Sequence, residues 1–169
     1  MSRAFVKGDD EGLPSDEVPE RPISTDPNYV TREGLAQLRQ RYEELQQQHT
    51  QLKAAAEEFD KPKLIAVDRD LRYFSQRLES AILVDLSNEP HDEVHFGARV
   101  KVEDADGRAQ LFRIVGEDEA DVASGKISFL SPLAKAMIGA RVGDTVKWRR
   151  PAGEVELEIL EISYPDNGA

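Results

Sequence analysis

A chain of 169 residues without cysteine is excluded from thiol catalysis, disulfide cross-links and cysteine-ligated zinc or iron-sulfur chemistry. Its 33 acidic and 22 basic side chains leave a formal charge of -11, which argues against a nonspecific grip on nucleic acid by the whole protein and suits a basic protein surface, a metal or plain solubility. No apolar run reaches membrane-span length and the N-terminus lacks a signal-type apolar core, so a cytoplasmic protein with no membrane partner is expected.

Residues 1–30 combine Asp9, Asp10, Glu11, Asp16, Glu17 and Glu20 with Pro14, Pro19, Pro22 and Pro27. That mixture neither sustains a helix nor buries a core, and it reads as an extended, mostly disordered lead. From 31 to 85 the apolar residues recur at alternating steps of three and four: Leu35, Leu38, Tyr42, Leu45, Leu52, Ala56 and Phe59, with His49 on the seam, then Leu64, Val67, Leu71, Phe74, Leu78 and Ala81. A stripe of period 3.5 is a coiled-coil seam, and Pro62 between the two legs makes the segment an antiparallel helical hairpin.

Thr31 is placed to cap the first leg and Glu33 suits its positive end, whereas Gly34 contributes nothing to helix stability. His49 reads either as a ligand or as a polar seam residue that sets register, and register is the simpler account. At the bend, Glu57, Glu58 and Asp60 are open to two readings. They hold a cation jointly, or Asp60 caps the second leg while the glutamates are solvated. Arg69, Arg72 and Arg77 face a similar choice between phosphates and ion pairs with Asp68, Asp70 and Glu79.

The stretch 86–93 has no period, contains Pro90 and reads as a linker. Beyond it, residues 94–165 turn to short strands: Val94 to Val102, Gln110 to Val115, Lys126 to Leu130, Thr145 to Arg149 and Glu154 to Tyr164. Ser131 and Pro132 open a short helix that ends near Gly139. Trp148 is expected to pack against the sheet, and Gly116 and Pro132 to serve turns. The resulting fold class is α+β: an N-terminal antiparallel coiled-coil hairpin, then an antiparallel sheet with one helix, and a tail at 166–169.

The residues of the last region carry a resemblance. The runs Val94-His95-Phe96-Gly97-Ala98-Arg99-Val100 and Phe112-Arg113-Ile114-Val115-Gly116 with Asp118-Glu119-Ala120-Asp121, then Ser131-Pro132-Leu133-Ala134-Lys135-Ala136, Val142-Gly143-Asp144 and Pro151-Ala152-Gly153, resemble the C-terminal domain of the Gre family. These are bacterial transcript cleavage factors of RNA polymerase. Thr31-Arg32-Glu33-Gly34-Leu35 opens the arm as the family does, and Asp68 to Phe74 with Arg77-Leu78-Glu79 is similar to the GreB-type branch.

The resemblance implies an FKBP-like domain at the rim of the polymerase secondary channel and a finger inserted down it. It places polymerase contact around Asp118, Glu119, Ala120, Asp121, Ser131, Pro132 and Leu133. It also implies an acidic tip motif, Gly-Asp followed by Glu-Asn-Ala, that helps to hold the second catalytic magnesium of the polymerase. This chain has Ala-Ala-Ala-Glu-Glu-Phe-Asp-Lys-Pro-Lys there instead. Matched from both ends, the arm is also about two heptads short, one per leg, or about 10 Å of reach at about 1.5 Å per residue.

Three functional expectations follow. The first is an elongation regulator that binds core RNA polymerase as a monomer, touches nascent RNA at most indirectly, has no cofactor of its own and does not complete the cleavage metal site. The second keeps transcript cleavage through Glu57, Glu58 or Asp60 and the polymerase's own magnesium. The third, prolyl isomerisation, rests on fold similarity alone.

Overall fold

A computed structural model describes residues 18–55 and 60–165. The chain divides into two units, one of Met1–Asp26 with Leu38–Glu79 and the other of Pro27–Gln37 with Ser80–Ala169.

The first unit is built on two long helices, α1 (Arg32–Ala55), whose first six residues fall in the second unit, and α2 (Lys61–Ser80). The period-3.5 stripe emerges as the inner face: Leu38, Leu45 and Val67 are buried, and Tyr42, His49, Leu52, Leu64, Leu71, Phe74 and Leu78 are half-buried. Each fully buried aliphatic side chain contributes about 1.5–3 kcal/mol, so three of them and a half-covered seam hold the pair together without a broad core. His49 Nε2 lies 2.9 Å from Asp68 Oδ1 on the opposite leg, a polar cross-tie of the kind that sets register. Ala56 and Phe59 of the stripe lie outside the described residues.

One member of the inner face is absent from the apolar pattern. Arg77 is only 2% exposed, so it is part of the packed helix face and not a surface cation. Its neighbours on α2 are also engaged. Arg72 forks onto both carboxylate oxygens of Glu20, at 3.0 and 3.1 Å from Nε, and Arg69 donates to Asp70 at 3.1 Å. Arg21 stacks 3.9 Å over the Tyr73 ring and reaches Asp70 at 3.4 Å. The end of the lead, expected as part of an extended, mostly disordered segment over residues 1–30, is therefore strapped to α2 by Glu20 and Arg21. Residues 1–17 lie outside the described residues.

The second unit contains two sheets. The small one pairs β1 (Asn28–Val30) with β2 (Ala81–Leu83) in parallel. Parallel strands require a long crossover, and here α1 and α2 supply it. Neither strand is visible in the alternation of apolar residues, and β2 takes Ala81 out of the arm, which ends at Ser80 and not at 85. Tyr29 stands within 5.9 Å of the Phe96 ring and 5.4 Å of the Phe129 ring, so β1 is pinned by an aromatic trio.

The larger sheet holds β3 (Arg99–Glu103), β4 (Ala109–Val115), β5 (Lys126–Ser128), β6 (Thr145–Arg150) and β7 (Gly153–Ser163) in the order β5-β4-β3-β7-β6. All neighbours are antiparallel except β4 and β5, which run parallel, so the sheet is mixed at one edge and not antiparallel throughout. Val100, Val102, Ile114, Leu157 and Ile159 point from it into a core closed by Leu133, Ala134 and Met137 of α3 (Pro132–Met137). Ser131 caps α3 by accepting from the Ala134 amide at 3.2 Å, with Pro132 in its first turn, as the sequence predicts. Trp148 packs on the rim of this core, 6.4 Å from the Phe112 ring.

The first expected strand starts late. Residues 94–98 are not extended, because Gly97 adopts φ +89° and a side chain there would meet the Leu86 methyls at 2.4 and 2.7 Å. The strand begins only at Arg99.

Candidate functional site

The loop after β4 and the start of α3 contain the residues that the family resemblance marks for docking, and both connect to β5. Gly116 begins the loop. A Cβ on it would lie 2.3 Å from the Tyr29 carbonyl oxygen, so this glycine is required by the close passage of β1 and not by a turn alone.

Glu119 does not face outward. It is 6% exposed, and its Oε1 accepts from the Thr31 hydroxyl at 2.5 Å. Thr31 Oγ1 in turn accepts from the Gly34 amide at 2.9 Å, the expected cap of α1. Gly34 gains a reason here: a Cβ would stand 2.6 Å from Glu119 Oε1. The other Glu119 oxygen makes no hydrogen bond among the described residues and has the Lys126 ammonium 3.8 Å away. Glu119 is thus a buried internal acceptor, turned inward from the face on which the resemblance places polymerase contact. An acidic side chain spent on a threonine 88 residues distant leaves no trace in local patterning.

Leu133 is turned inward in the same way, since at 3% exposure it belongs to the core. The Ser131 hydroxyl is spent on its cap. Ala120, Asp121 and Pro132 are exposed and Asp118 is half-buried; Asp121 accepts from the Ser124 hydroxyl at 2.7 Å. The solvent-facing part of the marked set is therefore Ala120, Asp121 and Pro132.

Close to Thr31, Glu33 accepts from Arg113 Nη1 at 2.9 Å, with the Arg113 side chain only 8% exposed. This pair also escaped the sequence reading. Its partners lie 80 residues apart and both look like ordinary surface charges. Away from the sheet, the Asp60 carboxylate lies 3.7 Å from the Lys63 ammonium and is mostly covered. Glu57 and Glu58 lie outside the described residues.

A two-helix coiled coil joined in sequence to a mixed five-stranded sheet with one capping helix, its loop acids partly folded inward, defines the class: an acidic α+β protein with a helical arm. Residues 89–164 match the model of the C-terminal region of the transcription elongation factor GreA/GreB family. GreB of Neisseria meningitidis serogroup A is 45% identical over 107 residues, covering 63% of this chain and 66% of that protein. GreB of Yersinia pestis is 42% identical over 106 residues, covering 63% and 62%. GreA of Pelobacter propionicus is 42% identical over 99 residues, covering 58% and 63%. The chain thus spans a little under two thirds of the length of these relatives. Among solved structures, the GreA/GreB factor of Nitrosomonas europaea aligns with TM-score 0.41 at 22% identity over 81% of this chain and 99% of that one. Over its C-terminal region the chain is thus similar to transcription elongation factors of the GreA/GreB family.

Proposed function

We propose that the protein regulates elongation by docking on core RNA polymerase at its secondary channel, with its arm entering the channel without completing the metal site for RNA cleavage. The observation that carries this reading is the family match over 89–164 beside an arm whose bend reads Glu57-Glu58-Phe59-Asp60-Lys61-Pro62. Ala120, Asp121 and Pro132 supply the exposed part of the docking face, and the neighbouring acid Glu119 supports it from within by tying the loop to the cap of α1. Acid on that face favours a basic surface on the partner.

The metal in this reading belongs to the polymerase. Asp60 lies 3.7 Å from the Lys63 ammonium, and this reading routes no step through it. The protein acts as a monomeric accessory factor in the cytoplasm; the described helices include none long and apolar enough to cross a membrane.

Two measurements test the proposal. In a pull-down, core polymerase should be retained by the wild type and lost with Asp121→Arg; failure of the wild type to bind removes the docking reading. On a stalled, backtracked complex the protein should leave transcript cleavage unstimulated. Stimulation that disappears when Glu57, Glu58 and Asp60 are neutralised together would instead assign tip chemistry to this chain.

A further inference from the structure

We propose that the outer face of the larger sheet carries a binding site for a phosphate-type oxyanion, built on Arg99, Arg113 and Lys126. The evidence begins with the strand register. Arg99 of β3 is paired directly with Arg113 of β4, and Arg113 directly with Lys126 of β5. Three cations therefore stand in one row across three adjacent strands, each about 4.8 Å from the next at the backbone. Like charges placed directly opposite disfavour pairing, so the row needs counter-charge.

The protein supplies only part of it. Glu33 meets Arg113 at 2.9 Å and Glu119 lies 3.8 Å from Lys126, whereas exposed Arg99 has no ion pair among the described residues. Three positive groups face two carboxylates, and one positive charge remains over. Arg113 is more than nine-tenths buried, and its enclosed Nε makes no hydrogen bond among the described residues, so it reaches the concavity through its other N–H groups.

These groups share one concavity. A pocket of about 270 Å³ is lined by all three cations together with Glu33, Ser124 and Gly125. That is just below the size range of about 300–1,000 Å³ usual for drug-sized ligands, and it suits a compact ion. Two guanidinium groups and an ammonium lining one concavity match an anion with three or four acceptor oxygens and more than one charge. A carboxylate offers two oxygens and one charge. Free inorganic phosphate and the terminal phosphate of a nucleotide present the same chemistry, so either is a candidate source. The site adjoins one exposed docking residue, since Asp121 exchanges backbone hydrogen bonds with Lys126 and accepts from the Ser124 hydroxyl; the phosphate titration is run on the free protein and so is read independently of polymerase docking.

The test is an amide NMR titration of the full chain with inorganic phosphate, and in parallel with pyrophosphate and a nucleoside triphosphate. Sodium chloride at matched ionic strength is the reference. Saturable shifts are expected at the amides of Arg113, Gly125 and Lys126. Arg99→Gln, at an exposed position without a partner, should weaken binding about tenfold, the scale of one lost charge-assisted contact. Arg149→Gln, a cation on β6 outside the row, should leave it unchanged. Equal saturation by phosphate and triphosphate assigns the free ion, and tighter triphosphate binding assigns a nucleotide. Shifts reproduced by chloride, or an Arg99→Gln titration matching the wild type, overturn the site.

Discussion

Gly34→Ala separates a local argument from a tertiary one, because the two predict opposite signs. Helix propensity alone makes alanine better than glycine within a helix by about 0.5–1 kcal/mol. At this position, however, the new Cβ would stand 2.6 Å from Glu119 Oε1 and 3.4 Å from Thr31 Oγ1. The carboxylate must move, and it is buried with its one short hydrogen bond to Thr31. A hydrogen bond to a charged group contributes about 1.5–3 kcal/mol, so the substitution should destabilise by about 1–2 kcal/mol net. In a Glu119→Ala background the obstacle is gone, and Gly34→Ala should then stabilise by about 0.5–1 kcal/mol. Urea unfolding of the four proteins of this double-mutant cycle, compared by midpoint at constant slope, measures the sign reversal. Gly34→Ala that stabilises the wild type would show that Glu119 yields freely and that the buried triad does not hold the loop.

Other perturbations read other contacts. Gly116→Ala sets a Cβ 2.3 Å from the Tyr29 carbonyl, and since backbone cannot rotate away, it should cost about 2 kcal/mol or more in the same assay. The Tyr164 phenol donates to the Glu93 carbonyl at 2.6 Å and accepts from the His95 amide at 2.9 Å. Burial, chiefly, pushes its pKa from 10.0 up to about 12. Its contribution is therefore whole below pH 10 and fades as pH rises through about 12. Ultraviolet titration should show a late tyrosine step that Tyr164→Phe removes; a variant profile that keeps the late step would contradict it. The Arg72 fork holds the Glu20 carboxyl below its ordinary value of 4.5. The strap is thus intact above that value and released as pH falls through the lowered one, which the carboxyl carbon shift of Glu20 reports. A midpoint at or above 4.5 would mean that the strap does not persist in solution.

Much of the fold could be read from order along the chain. The seam from Leu35 to Leu52 and from Leu64 to Leu78, the Ser131 cap, the closing pair β6 and β7 and the cap at Thr31 all express short-range rules, in which a residue's neighbours within a few positions determine its face or its dihedral angles. Neither local pattern nor the family resemblance reports exposure where one residue's environment is set by another far away. Glu119 and Leu133 were expected at a docking surface and are interior, because their exposure depends on Thr31 in one case and on the sheet in the other. Asp121 and Pro132 of the same set do face solvent.

Taken alone, then, the order of residues determined the two-part organisation, the helical arm with its inner stripe, the composition of the sheet core and the family resemblance, since periodicity specifies which side of an element avoids water. Tertiary structure decided the partners: β1 beside β2, β5 parallel to β4, Glu20 on Arg72, and Arg99, Arg113 and Lys126 drawn into one row. Periodicity assigns a face to each element without naming what will cover it, and charges distant in sequence become neighbours only when strand register is fixed.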